Sequence, residues 1–252
     1  MDGLLSRLPG ARSLQRWRWL IVALVSGAAA YSMLHWLGRT SGSSRRERSR
    51  LLPGDLVVAH PSLVTNHAVT IDAPPSSVWP WLVQMGWHRG GWYTSRWVDI
   101  LLFPANSPSA ELIVPELQDL AVGDFIPDGP PDTGCGFVVE VLEDGHYLVL
   151  RSTTHLPPGW RDRFGASINW TWTFALEAVG VGQSRLLFRS RARLAPRWVA
   201  DLYRFLIVPA DYVMARQMLA GIRRRAEQAP PPNPGTTTEM LRSADHAGSR
   251  AL

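Results

Sequence analysis

The chain has 252 residues, 46% of them hydrophobic, with 12 tryptophans and a net charge of +5. All 26 basic residues are arginine, which excludes chemistry built on a Schiff-base lysine or a P-loop lysine. Cys135 stands alone, so an intrachain disulfide and a cysteine-based zinc site are excluded as well.

The charge is unevenly spread. Residues 1–53 carry nine arginines against Asp2 and Glu47, residues 54–222 carry twelve against sixteen acids, and residues 223–252 carry five against three. The basic excess therefore sits in the two ends, and the part expected to fold is mildly acidic. A nucleic-acid partner needs a basic face on the folded domain, so none is expected.

Residues 1–18 form a basic flank, and Trp19 to Leu37 follow as an uncharged apolar run of 19 residues. At ~1.5 Å per residue a helix of that length nearly spans the ~30 Å hydrocarbon layer. Trp17, Trp19 and Trp36 bracket it, where amphipathic aromatics favour the interface. The run predicts a single-pass helix in the cell membrane, with the bilayer as a partner. Ala28 and Ala30 offer an A-x-A pattern that a signal peptidase would read. Against cleavage, Arg39, Arg45, Arg46, Arg48 and Arg50 lie just downstream and resist translocation. Arginines on both sides leave the positive-inside rule with little to decide; the soluble domain is expected to face the cytoplasm.

Residues 38–53 read as an Arg/Ser-rich linker, 54–228 as the folded domain, and the Pro/Gly/Thr-rich stretch 229–252 as a disordered tail. Within the domain, Val64–Ile71 alternates as a strand. A helix follows, with Asp72 or Ser76 available as its cap and Val78, Trp81, Leu82 and Met85 at helical spacing. Strands are predicted at Asp124–Pro127, Phe137–Leu142, Tyr147–Ser152, Ser167–Glu177 and Arg185–Leu194. The last two each show one apolar and one polar face, which predicts an antiparallel sheet covered on one side only. Pro196–Glu227 carries a helical apolar stripe through Leu202, Tyr203, Met214, Met218 and Ile222. Pro209 predicts a kink or a break in it.

This order of elements resembles the helix-grip plan of START-like proteins, the SRPBCC or polyketide cyclase/dehydrase-like superfamily, in a bacterial branch of unassigned function. The segments that carry the likeness are Leu52–Asp55, Ile71–Pro74 leading to Val78–Gly86, Arg89–Tyr93, Ile113–Glu116, Leu120–Asp124 and Asp211–Arg224. Thr94-Ser95-Arg96 departs from it. The resemblance implies an α+β fold, an antiparallel sheet wrapped on a long C-terminal helix, with a cavity between them.

Such a cavity would take a hydrophobic or lipid-like small molecule. The candidates to line it are Trp87, Trp92, Tyr93 and Trp97 from an aromatic loop, Arg151, the inward residues Trp170, Trp172 and Phe174, and Met214 and Met218 on the helix. A cyclase- or lyase-type enzyme is the alternative. Its acid–base candidates are His88, Tyr93, Glu116, Arg151, His155 and Asp211, with Asp211 expected to pair with Arg216 or another arginine. H-E-x-x-H, G-x-S-x-G and G-x-G-x-x-G are all absent, so no catalytic residue is assigned and no metal or cofactor is expected.

Overall fold

The structure, a computed structural model, describes residues 11–102 and 106–228. The expected disordered tail lies outside them. Helix α1 (Ala11–Thr40) leads through short α2 (Arg45–Ser49) to strand β1 (Leu63–Ile71) and helix α3 (Pro75–Val83). After α4 (Arg96–Leu102) come β2 (Phe125–Pro127), β3 (Gly136–Glu143) and β4 (Tyr147–Ser152). Short α5 (Trp160–Phe164), the long hairpin β5 (Ser167–Gly180) and β6 (Gln183–Ala195), and α6 (Arg197–Gln228) complete the chain. The six strands form one antiparallel sheet in the order β1-β6-β5-β4-β3-β2. The long terminal helix lies across its concave face, which is the helix-grip arrangement.

The alternation in β5 and β6 sets the core. Trp172 pairs with Ser190 and Phe174 with Phe188, so one face of the hairpin presents aromatic rings to α6. Phe174 and Phe188 stack at 4.9 Å and Trp172 meets Phe188 edge-on at 5.4 Å. Such pairs contribute about 0.5–1.5 kcal/mol beyond the area they bury. Met214, Met218 and Ile222 close the core from α6. Helix α3 starts with no side-chain cap: Pro74 holds the capping position, and Asp72 accepts from Gln183 Nε2 instead.

The other face of the sheet corrects an expectation. Its Arg185, Arg189, Arg191, Thr171 and Thr173 are not solvated, because residues 45–59 fold back over them. Arg189, 2% exposed, donates to Asp55 at 2.5 Å, to Asn66 Oδ1 at 2.7 Å, and to the carbonyls of Arg50 (2.8 Å), Glu47 (2.8 Å) and Arg48 (3.2 Å). Arg185 pairs with Glu47 at 2.7 Å, and its bond holds that carboxyl down at a pKa of about 2. Gly54 lies so close to β5 that an added Cβ would stand 2.1 Å from Thr173 Oγ1. The stretch read as a linker is thus docked on the sheet, by polar contacts that hydrophobic patterning does not register.

Of the kink or break expected at Pro209, the break does not occur: α6 runs as one helix through it. Proline has no N–H to offer the carbonyl four residues back, that of Phe205. The Tyr31 hydroxyl of α1 donates to that carbonyl at 2.9 Å, and the rings of Tyr31 and Phe205 meet at 5.1 Å. Seven residues on, Gly38 packs on the Val208 carbonyl so tightly that any Cβ would stand 2.1 Å from its oxygen. Tyr31→Phe should strand the carbonyl at a cost of about 1–2 kcal/mol. A thermal melt of the full chain in detergent should then show the midpoint lowered by roughly 2–8 °C. An unchanged midpoint would contradict this role for Tyr31.

From residue 15 to residue 30 α1 is exposed, and by length and apolarity it is a candidate membrane span or signal helix. Helix α6 is also long and apolar, but 44% of its apolar stretch is buried, as in a core helix.

Candidate functional site

Between α6 and the exposed end of the sheet lies a cavity of about 390 Å³. Trp170 and Trp172 of β5 form its floor with Asp211 and Met214 of α6, all at most 9% exposed. Leu156, Pro157, Tyr203 and Ile207 are more exposed and form its mouth. The Trp170 indole N–H donates to Ser190 Oγ at 2.7 Å, which leaves the ring face to the cavity.

Three further groups, Asp128, Cys135 and His155, make one wall polar. They come from two loops that the sheet brings together. Asp128 follows β2 and Cys135 precedes β3, and the Asp128 N–H donates to the Cys135 carbonyl at 2.9 Å as an extension of the β2–β3 ladder. His155 follows β4 in a turn held by Ser152 Oγ, which accepts the Thr154 N–H at 3.1 Å. Thr154 in turn donates to the Gly136 carbonyl at 3.2 Å, pinning the turn over the start of β3. From α6, the Tyr203 hydroxyl donates to the His155 carbonyl at 2.8 Å.

The imidazole of His155 is nearly enclosed. Nε2 lies 2.8 Å from Asp128 Oδ2 and Nδ1 lies 2.6 Å from Ser152 Oγ, while Phe137 packs on the ring at 4.6 Å and Trp170 meets it edge-on at 5.2 Å. Burial alone disfavours the charged ring. The Asp128 bond and the nearby Cys135 thiol outweigh it and carry the pKa up to about 9. These contacts favour the imidazolium form, whose two N–H groups face Asp128 and Ser152. Burial pushes the Asp128 carboxyl up, opposed by His155 and by the Trp92 indole N–H.

A second buried carboxylate faces the cavity from α6. Asp211 Oδ2 accepts from Thr65 Oγ1 at 2.6 Å and lies 3.1 Å from His67 Nε2 on β1. The expected arginine partner is not used: Arg216 sits on the outer side of the helix and donates to the Tyr212 hydroxyl. Strand β1 runs directly beneath α6 and supplies the pair locally.

Of the ten candidates to line a cavity, Trp170, Trp172 and Met214 border this one. Phe174 and Met218 are fully buried in the packed core beyond it. Trp92 lies behind the wall, edge-on to Trp172 at 5.4 Å and directed at Asp128. Trp87 is buried with its backbone N–H on the Pro127 carbonyl, and the Tyr93 hydroxyl donates to the Trp81 carbonyl at 2.8 Å. Burial pushes the Tyr93 hydroxyl up, away from proton transfer at neutral pH.

Trp97 is 55% exposed on α4, because that helix turns it outward. Arg151 stands on the opposite face of the sheet, bonded to Asn169 Oδ1 at 2.9 Å, because its place in the β4 alternation puts it there. His88 bonds Ser107 on the surface, and Glu116 is exposed. Of the acid–base candidates, His155 and Asp211 reach the cavity. Asp128, Cys135 and Tyr203 also line it and are not among the site candidates that the sequence offers. The signal for Asp128 was its place just past β2, two strands from His155 in an antiparallel ladder.

Fold and site together define a helix-grip protein with an apolar cavity and a His–Asp pair in its wall. No family model matches the chain, and no curated protein matches it. Among solved structures, a protein from Mesorhizobium loti is similar at 15% identity and a TM-score of 0.38, covering 67% of this chain and 99% of its own. A hypothetical protein from Helicobacter pylori is similar at 12% identity and a TM-score of 0.42, covering 71% and 96%. Truncated norcoclaurine synthase from Thalictrum flavum gives 12% identity and a TM-score of 0.40, covering 67% and 95%. The fold assignment rests on the strand order and on the placement of α6, not on these likenesses.

Proposed function

We propose that this chain is a membrane-anchored protein that binds a hydrophobic or lipid-like small molecule between β5 and α6. The observation that carries this is the cavity itself: about 390 Å³, floored by two indoles and a methionine, with polar groups gathered on one wall. Binding sites for small molecules have this size and this mix of apolar lining with a few placed polar groups. The exposed apolar length of α1 supports the anchor.

Native mass spectrometry of the full chain, purified in mild detergent, tests the reading. A bound apolar species is expected. Ala210 borders the cavity, and Ala210→Trp should fill it and lower the occupancy several-fold while the melting profile is kept. A native protein free of bound species, or equal occupancy in the variant, would sink the proposal.

A second reading is favoured by the convergence of Asp128, His155 and Asp211 on one cavity. A cation and carboxylates facing an apolar ligand are the groups that proton transfer requires, and a cyclase- or lyase-type reaction on a polycyclic or polyketide-like molecule would use them. Turnover of a carbonyl-bearing ligand, abolished by His155→Gln with binding retained, is the result that would favour it.

A further inference from the structure

Two of the contacts between α1 and α6 bear on which end of the domain lies at the membrane. Tyr31 meets Phe205 and Gly38 meets Val208, so the helices run in the same sense. Tyr31 lies within the apolar stretch that ends at Leu37, about 9 Å short of its end at ~1.5 Å per residue. The N-terminal half of α6 is therefore on the bilayer side. Its exposed residues suit that position: Trp198, Phe205 and Leu206 are 46%, 58% and 52% exposed.

Neighbouring α5 adds to the same tip. Trp160 and Phe164 each pack on Trp198 at 5.4 Å, forming an aromatic cluster whose outer rings face solvent. Arg163 lies over the Phe164 ring at 5.3 Å, and Arg161 and Arg197 adjoin Trp160 and Trp198 in the chain, with Asp162 and Asp201 as neighbouring acids. Exposed aromatics beside arginine are what a bilayer interface with anionic headgroups accommodates. The cavity mouth is part of this tip. Leu156 and Pro157 lead directly into α5, and Tyr203 and Ile207 flank Phe205 and Leu206 on α6.

We propose that the cavity opens onto the bilayer and takes its ligand, a membrane-resident amphiphile with a single chain or ring system, from the leaflet. This rests on the binding reading above and adds the route and the ligand class. The apolar part passes between α5 and α6 from hydrocarbon to the indole floor without crossing water. The polar wall of Asp128 and His155 receives the headgroup end.

The test uses the full chain in phosphatidylglycerol-containing nanodiscs doped with a diazirine-bearing palmitic acid. The time course of photo-crosslinks to the 155–157 loop and Met214 is read by peptide mass spectrometry. The native protein should label there. Phe164→Glu with Leu206→Glu, both at exposed positions, should label several-fold more slowly in discs, yet to the same final extent in detergent micelles, where no bilayer presents the probe. Val181→Glu, on the exposed β5–β6 turn, should match the native rate. If the double variant labels as fast as the native protein in discs, the route is overturned while binding stands. If the native protein labels in neither setting, the binding reading fails and the route with it.

Discussion

Arg189→Ala is expected to cost about 3–5 kcal/mol, the range for removing one member of a buried ion pair. The change leaves Asp55, 4% exposed, without its closest cation, and strands the carbonyls of Glu47, Arg48 and Arg50 that the guanidinium satisfies. Urea unfolding followed by tryptophan fluorescence should show the midpoint fall accordingly, and limited proteolysis should cut first within residues 45–59. Replacing both partners by apolar residues, Arg189→Met with Asp55→Leu, removes the uncompensated charge but not the stranded carbonyls. It should therefore recover only part of the loss. Full recovery would mean that the carbonyl contacts carry no weight, and a single variant as stable as the native protein would remove the ion pair from the account.

The second large effect concerns His155. Its ring should titrate near pH 9, read from imidazole chemical shifts by NMR. Because this lies above the value of about 6.5 in an unfolded chain, the stabilisation it brings is present in full below about pH 6.5. It is lost as pH rises through about 9, and stability should fall by a few kcal/mol across that window. Asp128→Asn removes the leading cause of the upward shift and leaves burial opposed by Cys135 alone. The ring should then titrate lower than in the native protein, and the alkaline loss of stability should shrink. A ring that titrates near 6.5 in both proteins would contradict the pairing.

Much of the fold was legible in the sequence because it depends on periodicity. The alternation of Trp170, Trp172 and Phe174 fixed which face of β5 meets the helix, and the spacing of Met214, Met218 and Ile222 fixed the face of α6 that answers it. What periodicity does not encode is which polar face finds a polar cover. Arg185, Arg189 and Arg191 read as solvated, and only the fold-back of residues 45–59 shows that they are bound. Pro209 misled for a related reason: the donor that rescues its orphaned carbonyl comes from Tyr31, 174 residues away.

The site was legible in part. Its indoles and methionine follow from the strand and helix patterns. The His155–Asp128 pair does not, since its members stand 27 positions apart with two strands between them and no catalytic spacing marks them. Arg151 and Tyr93 attracted attention as polar groups near aromatics, and strand parity and burial respectively remove them.

The central claim is that the space beside Trp170 and Trp172 holds an apolar molecule. The most direct measurement is a crystal structure of the full chain soaked with a fatty acid brominated on its chain, with bromine located by anomalous scattering. The account expects the bromine peak between the two indoles and Met214, lost in Ala210→Trp. A peak confined to the surface of α1, or a cavity filled by ordered water, would contradict it.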